Sequence, residues 1–87
     1  MLVTVRLFAR LREIAGAPDL RLDLDDGATV RDAWNTLVQQ FGPMAPFTSS
    51  VSCAVNEDYA RMTATLRDGD EVAFLPPVSG GASERGL

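Results

Sequence analysis

Alternating apolar and polar residues predict two strands near the start of the chain. In residues 2–8 every second side chain is apolar, and the same is true of residues 20–24. This period of two is that of a strand with one buried face. Between the strands, Ala9–Ala15 favours a short helix that ends at Gly16 and Pro18. The two strands are expected to be antiparallel if they pair as a hairpin.

A longer helix is predicted over about residues 30–41. Thr29 precedes it as a good N-cap, and Asp32 lies near the positive end of the helix dipole. Gly-Pro at 42–43 ends the helix. The apolar residues recur at helical spacing and form one face: Val30, Ala33, Trp34, Leu37 and Phe41. Trp34 is therefore predicted to lie at the centre of the core.

The second half of the chain predicts further short strands. Residues 51–55 alternate, and this pattern turns Cys53 towards the core as a small buried hydrophobe. A very short strand is predicted near residues 60–62. The turn signal Asp-Gly-Asp at 68–70 then introduces the last strand, residues 71–75.

This order of elements indicates an α+β fold of the β-grasp, or ubiquitin-like, type, with a mixed four- to five-stranded sheet packed on the helix at 30–41. The domain is predicted to cover residues 1–75. Its first and last strands are expected to be parallel neighbours in the middle of the sheet, where strands can be buried on both faces. Leu75 then lies on the face away from the helix. Either it contacts a partner, or loop residues such as Met44 or Phe47 cover it.

The chain continues after the last strand as Pro76-Pro77-Val78-Ser79-Gly80-Gly81. The two prolines remove backbone donors, so a sheet ladder cannot continue past them, and they favour an extended course. Gly-Gly has no Cβ atoms and suits a narrow enzyme channel, where backbone must approach a reacting centre. The same residues are also compatible with a flexible linker. The pattern alone leaves both interpretations open.

Composition excludes several kinds of chemistry. The 87 residues make one small domain, without histidine or lysine and with one cysteine. A Cys-rich zinc site, a four-Cys iron–sulfur cluster, a Schiff-base lysine and a histidine base are therefore excluded. A net charge of −4 without a basic run argues against nucleic acid or an anionic membrane as partner. No signal-peptide or membrane-spanning pattern is present, so a cytoplasmic protein is expected.

Three segments of the chain carry a resemblance to a known family. They are AVN at residues 54–56, LRDGDEVAFLPPVSGG at residues 66–81 and FARLREIAG at residues 8–16. The chain resembles the small subunits of molybdopterin synthase, within the MoaD/ThiS family of sulfur-carrier proteins. The similarity covers residues 2–81, and the Pro-Pro-Val-Ser-Gly-Gly ending is specific to the molybdopterin branch.

The resemblance implies a non-catalytic carrier without a cofactor of its own. In the family, an adenylating and sulfurating enzyme uses ATP to activate the terminal glycine carboxylate, which becomes a thiocarboxylate. The tail then enters the large subunit of molybdopterin synthase, where the sulfur builds the dithiolene of the molybdenum cofactor. By position, Gly81 would carry the sulfur. The tail in the partner's channel would be Pro76, Pro77, Val78, Ser79 and Gly80, and the partner contacts would be Leu75 and, less directly, Tyr59.

The chain departs from the family pattern at its end, because residues 82–87 follow the second glycine. A peptide-bonded Gly81 has no carboxylate to adenylate. Either a protease removes the six residues, or Gly86-Leu87 has another meaning, or the activating enzyme accepts Leu87, or this copy is not a working carrier. Our hypothesis is cleavage after Gly81. Alternative functions stay open: a sulfur carrier for cysteine or thiamine synthesis, a ubiquitin-like modifier, or an inert β-grasp interaction domain.

Overall fold

The computed structural model describes residues 1–77. Its elements are, in chain order, β1 (Leu2–Leu7), α1 (Ala9–Ala15), β2 (Asp19–Asp23), α2 (Val30–Gln40), a 3₁₀ helix (Gly42–Phe47), β3 (Ser52–Val55), β4 (Asp58–Ala60) and β5 (Glu71–Leu75). The predictions for Val78, Ser79, Gly80, Gly81 and the extension at 82–87 concern residues outside this described range.

The five strands form one mixed sheet in the order β2-β1-β5-β3-β4. β1 pairs with β2 in antiparallel and with β5 in parallel orientation, and β3 is antiparallel to both β5 and β4. The prediction that the first and last strands are parallel neighbours within the sheet is confirmed. In this pair Val5 lies opposite Val72 and Leu7 opposite Phe74. All four side chains are buried in the core.

Trp34 lies at the centre of the core, as its position on α2 predicts. It is fully buried, and its ring centroid is 5.1 Å from that of Phe74 on β5. Its indole Nε1–H donates to Thr48 Oγ1 at 3.0 Å, and the Thr48 hydroxyl in turn donates to the Ala45 carbonyl at 2.8 Å. The largest side chain of the core therefore has its polar atom satisfied.

The first turn of α2 is capped by side chains and by a distant segment of backbone. Thr29 and Asp32 form a capping box, in which each side chain accepts from the other residue's backbone N–H. The next two N–H groups, of Val30 and Arg31, donate to the carbonyls of Ala64 and Met62 at 2.9 Å each. The helix ends at Gln40, one residue before the predicted end, and Phe41 is its C-cap.

The prediction of a short strand near residues 60–62 is wrong in its position. β4 is Asp58–Ala60, because Asn56 and Glu57 reverse the chain immediately after β3. Both residues have positive φ, 50° and 75°, which two-residue hairpin turns of this hand require. Residue 62 instead supplies a carbonyl to α2. The loop predicted after α2 also contains more structure than expected, the 3₁₀ helix at Gly42–Phe47.

Candidate functional site

The sheet has one face on the core and one face away from α2, which we call the outer face. On the outer face, a row of side chains runs across four strands through directly paired residues: Tyr59, Ala54, Ala73 and Arg6. The two alanines form a shallow floor in the middle, because they have the smallest side chains of the row. Tyr59 and Arg6 stand at its two ends.

Tyr59 is the most exposed large apolar residue of the described chain, with 85% of its surface accessible. It lies on β4, an edge strand, directly opposite Ala54 of β3. An aromatic side chain in this position adds little to the core but offers a large contact area to a partner. The structure thus places Tyr59 beside the alanine floor; its contact role stays a prediction.

Leu75 ends β5 on the same outer face. It pairs with Ser52 of β3 and is half-buried, whereas its neighbour Phe74 points into the core. Met44 is fully buried and Phe47 packs against the core cluster, so both are occupied on the other side of the sheet. This arrangement favours Leu75 as a partner contact over the alternative in which Met44 or Phe47 covers it.

Phe8 also lies on this surface, although the sequence analysis did not predict it as a partner contact. Leu7 pairs with Phe74, and the backbone of Phe8 is still extended, so the same register places Phe8 beside Leu75. The Phe8 side chain is 36% exposed, and the Arg6 guanidinium carbon lies 5.8 Å from its ring centroid. The alternation of residues 2–8 carries the signal that puts Phe8 on the face of Arg6. We call Phe8, Ala54, Tyr59, Ala73 and Leu75 the apolar patch.

The base of the tail leaves the sheet next to this patch. Pro76 is half-buried and Pro77 is exposed, and both follow β5 directly. Since β5 lies between β1 and β3, the chain exits from the middle of the sheet and not from an edge. Val78, Ser79, Gly80 and Gly81 lie outside the described residues, so their predicted roles remain predictions.

At its other end, β5 is fixed by a hydrogen-bond network around Asp70. The Asp70 carboxylate accepts from Asn56 Nδ2 at 3.0 Å and from the Arg67 backbone N–H at 2.8 Å. The Asn56 side-chain oxygen accepts from the Glu71 N–H at 3.0 Å. The hydrogen bond from Asn56, followed by that from Arg67, lowers the pKa of Asp70 below its ordinary value of 3.8. The network fixes the register of β5 and therefore the face on which Leu75 lies.

Cys53 faces the core, as its strand pattern predicts. It is 5% exposed, and its Sγ–H donates to the Ala60 carbonyl at 3.1 Å. Burial raises the pKa of the Cys53 thiol. A buried thiol with a raised pKa is a structural residue and not a nucleophile.

The described residues contain neither a membrane-spanning helix nor a metal centre. Within residues 1–77, no helix is long and apolar enough to cross a membrane. The same part of the chain contains no cluster of three or more side chains of the metal-ligating types. The surface features that distinguish it are thus the apolar patch and the adjoining tail base.

A β-grasp domain whose central last strand runs into Pro-Pro-Val-Ser-Gly-Gly belongs to the ubiquitin-like class of small tail-bearing proteins. Residues 5–81 match the ThiS family, and the chain belongs to that family. The match ends at Gly81, so residues 82–87 lie beyond it.

Several similar proteins align with this chain over 90% or more of its length. The molybdopterin synthase sulfur carrier subunit of Arabidopsis thaliana is 40% identical over 79 residues, which is 91% of this chain and 82% of the relative. The crystal structure of small archaeal modifier protein 1 from Haloferax volcanii has a TM-score of 0.83 at 32% identity, covering 93% of this chain and all of the other. A putative molybdopterin converting factor, subunit 1, from Pyrococcus furiosus has a TM-score of 0.80 at 31% identity, covering 90% and 99%. These similarities confirm the predicted β-grasp fold and the family resemblance.

Proposed function

We propose that this protein is the sulfur-carrier subunit of a molybdopterin synthase, with sulfur carried as a thiocarboxylate on Gly81. The observation that carries the proposal is the family match, which runs through the whole domain and ends at Gly81. Relatives from a plant, an alga and bacteria, at 32–40% identity, are named as this subunit. The exit of the tail from the central strand supports the same role.

The chemistry of the carrier divides between the chain and its partners. An oxygen of the Gly81 carboxylate attacks the α-phosphorus of ATP and pyrophosphate leaves, which gives an acyl-adenylate. Sulfide (HS⁻) from the sulfur donor then attacks the acyl carbon, AMP leaves and the sulfur loses its proton, which gives the thiocarboxylate. The chain contributes the acyl group and no histidine or lysine. Catalytic groups and ATP therefore belong to the adenylating and sulfurating enzyme, and the carrier works without a cofactor or metal of its own.

Docking is assigned to the apolar patch and the tail together. The large subunit of the synthase would cover Phe8, Tyr59 and Leu75 while it takes Pro76–Gly81 into its channel. Because the tail leaves the sheet beside Leu75, one partner can hold the patch and the tail at once. The proposed place of action is the cytoplasm.

Processing is part of the proposal, because Ala82 follows Gly81 in the chain. Only hydrolysis of the Gly81–Ala82 peptide bond gives the carboxylate that the activating enzyme needs. A protease that cleaves after Gly81 is therefore the third proposed partner. The fold described for residues 1–77 does not include the removed segment.

The decisive experiment compares the full chain with a chain that ends at Gly81. Each is incubated with the activating enzyme of the molybdopterin pathway, ATP and a sulfur donor, and its intact mass is measured. The shorter chain should gain the mass of one oxygen-to-sulfur exchange, and the full chain should not. In a second assay that adds the large synthase subunit, a chain ending at Gly81 with Gly80→Val should transfer less sulfur than the unsubstituted shorter chain, because a narrow channel has no room for the added side chain. Absence of a thiocarboxylate on the shorter chain would contradict the proposal.

A second candidate function is protein modification. The similarity to small archaeal modifier protein 1, at a TM-score of 0.83 and over the whole of that chain, favours it specifically. In that case the Gly81 carboxylate would be found in isopeptide bonds to lysines of other proteins. Mass spectrometry of tryptic digests from the native host separates the two functions, since a synthase subunit leaves no such branched peptides.

A further inference from the structure

All eight basic residues of the chain are arginine. A guanidinium keeps its proton at all physiological pH values, so it does not act as an acyl acceptor, whereas a lysine amine does. Arg10 is an example of an arginine that is exposed on the surface and forms an ion pair. It lies on α1, which contacts β5, and its side chain is 62% exposed while Nη1 donates to Glu13 Oε1 at 3.1 Å. A lysine at this position would add an exposed amine on a helix that contacts β5.

The amine of Met1 is engaged by its neighbours. It donates to the Leu24 carbonyl at 2.7 Å and lies 3.5 Å from an Asp23 oxygen and 3.8 Å from an Asp26 oxygen. The side chain of Met1 is 4% exposed. An acyl group that reacts with this nitrogen would have to displace it from the Leu24 carbonyl and from the two carboxylates.

The thiol of Cys53 is also withheld from solvent. It is 5% exposed and donates to the Ala60 carbonyl at 3.1 Å, and β4 covers it from the edge of the sheet. Burial raises the pKa of this thiol, which lowers the fraction of thiolate. Hydroxyl groups remain on the surface, but they are weak nucleophiles without an adjacent base, and the chain contains no histidine.

We infer that this domain is protected against acylation by its own activated C-terminus, because its cations are guanidinium groups and its amine and thiol are held in the fold. The inference rests on the proposed function, since it concerns the fate of an activated acyl group at Gly81. The reaction that is suppressed is aminolysis. An amine nitrogen attacks the acyl carbon, the activating group leaves, the amine loses a proton and an amide forms, either within one chain or between two chains.

The test needs an activated acyl group but no partner enzyme. The chain ending at Gly81 is prepared as a C-terminal alkyl thioester and kept at a mildly alkaline pH, and products are followed by intact mass. Wild type, R10K and R12K are compared, with R10Q as the control that removes the same arginine and its ion pair without adding an amine. Both arginines are exposed on α1. Residues 76–81 span at most about 20 Å when fully extended, which limits the intramolecular product, and the covalent dimer reports on reaction between chains.

The wild type and R10Q should lose the thioester by hydrolysis, which gives the free acid. At least one lysine variant should form an amide, seen either as a product one water lighter than the free acid or as a covalent dimer. Its yield should be at least about tenfold higher than in the wild type, because a tethered amine has a high effective concentration. The inference fails if the wild type forms such amides as fast as R10K and R12K. It also fails if neither lysine variant forms them. Since the thioester is made chemically, either result is independent of whether the activating enzyme accepts this carrier.

Discussion

Asn56 and Asp70 are 14 residues apart in the chain, and Asn56 Nδ2 donates to Asp70 Oδ1 at 3.0 Å. This hydrogen bond joins the turn between β3 and β4 to the residue that precedes β5. The Asn56 backbone N–H also donates to the Glu71 carbonyl at 2.8 Å. Neither residue belongs to the apolar patch or the tail. Their hydrogen bonds affect the apolar patch only by fixing the register of β5. A slip of β5 by one residue would turn Leu75 towards the core.

Replacing Asn56 should destabilise the fold for two separable reasons. Asn56→Ala removes the hydrogen bonds to Asp70 and Glu71, and it places alanine at a φ of 50°. We expect a loss of about 2 kcal/mol in the free energy of unfolding, measured by urea denaturation. Asn56→Gly loses the same hydrogen bonds but tolerates the positive φ, so it should lose only about half as much. Equal losses in the two variants would show that the backbone conformation contributes nothing.

Acid should weaken the domain through Asp70. Its pKa in the folded protein lies below the ordinary value of 3.8, because Asn56 and the Arg67 N–H donate to the charged carboxylate. A group whose folded pKa is depressed contributes stability above its unfolded pKa, and this contribution is lost as the pH falls through the folded pKa. The free energy of unfolding should therefore fall in a pH series that runs from about 5 to about 2.

The matched variant for this measurement is Asp70→Asn. It should be less stable than the wild type at neutral pH, because the charge-assisted hydrogen bonds are lost. Its stability should change less between pH 5 and pH 2, roughly the range in which aspartates titrate. If the two proteins lose stability in parallel on acidification, Asp70 is not the source of the dependence.

The apolar patch gives a prediction about binding that distinguishes Phe8, which follows β1, from Leu2, which begins that strand. Phe8→Ala should weaken the complex with the large synthase subunit at least about tenfold, since aromatic side chains dominate such contacts. Leu2 is 46% exposed and is the first residue of β1. It lies on the same outer face, at the far end of the strand from Phe8. Leu2→Ala should leave the affinity unchanged.

Isothermal titration of each variant, together with a thermal melt, checks this prediction. Both substitutions remove partly exposed side chains, so their melting temperatures should shift by similar amounts. A loss of affinity that is equal in the two variants would contradict the assignment of the patch to the Phe8 end of the sheet.

The sequence pattern predicted much of the fold because the buried residues recur at the spacing of a strand or of a helix. The alternation around Val5 and Val72 indicated two strands buried in the middle of the sheet, and the helical spacing around Trp34 indicated the core face of α2. Thr29 was identifiable as the N-cap from its position before that face. The alternation of Val51, Cys53 and Val55 predicted that Cys53 faces the core.

The parts that were not predicted depend on single residues with unusual conformations or on neighbours distant in sequence. The position of β4 follows from positive φ values at Asn56 and Glu57, and the glycine that normally signals such a turn is absent there. The contribution of Phe8 follows from the register of β1 against β5, which sequence periodicity does not fix. The contribution of Ala54 and Ala73 follows from cross-strand pairing, since alanines have no distinctive pattern of their own.

The position of β5 also determines how the domain bears force. A partner that pulls on Pro76 and Pro77 pulls β5 along its own length. β5 is hydrogen-bonded on both sides, to β1 and to β3, so such a pull loads both ladders in shear at the same time. The same pull on an edge strand would load only one ladder. The attachment of the tail to a central strand therefore divides such a force between two ladders.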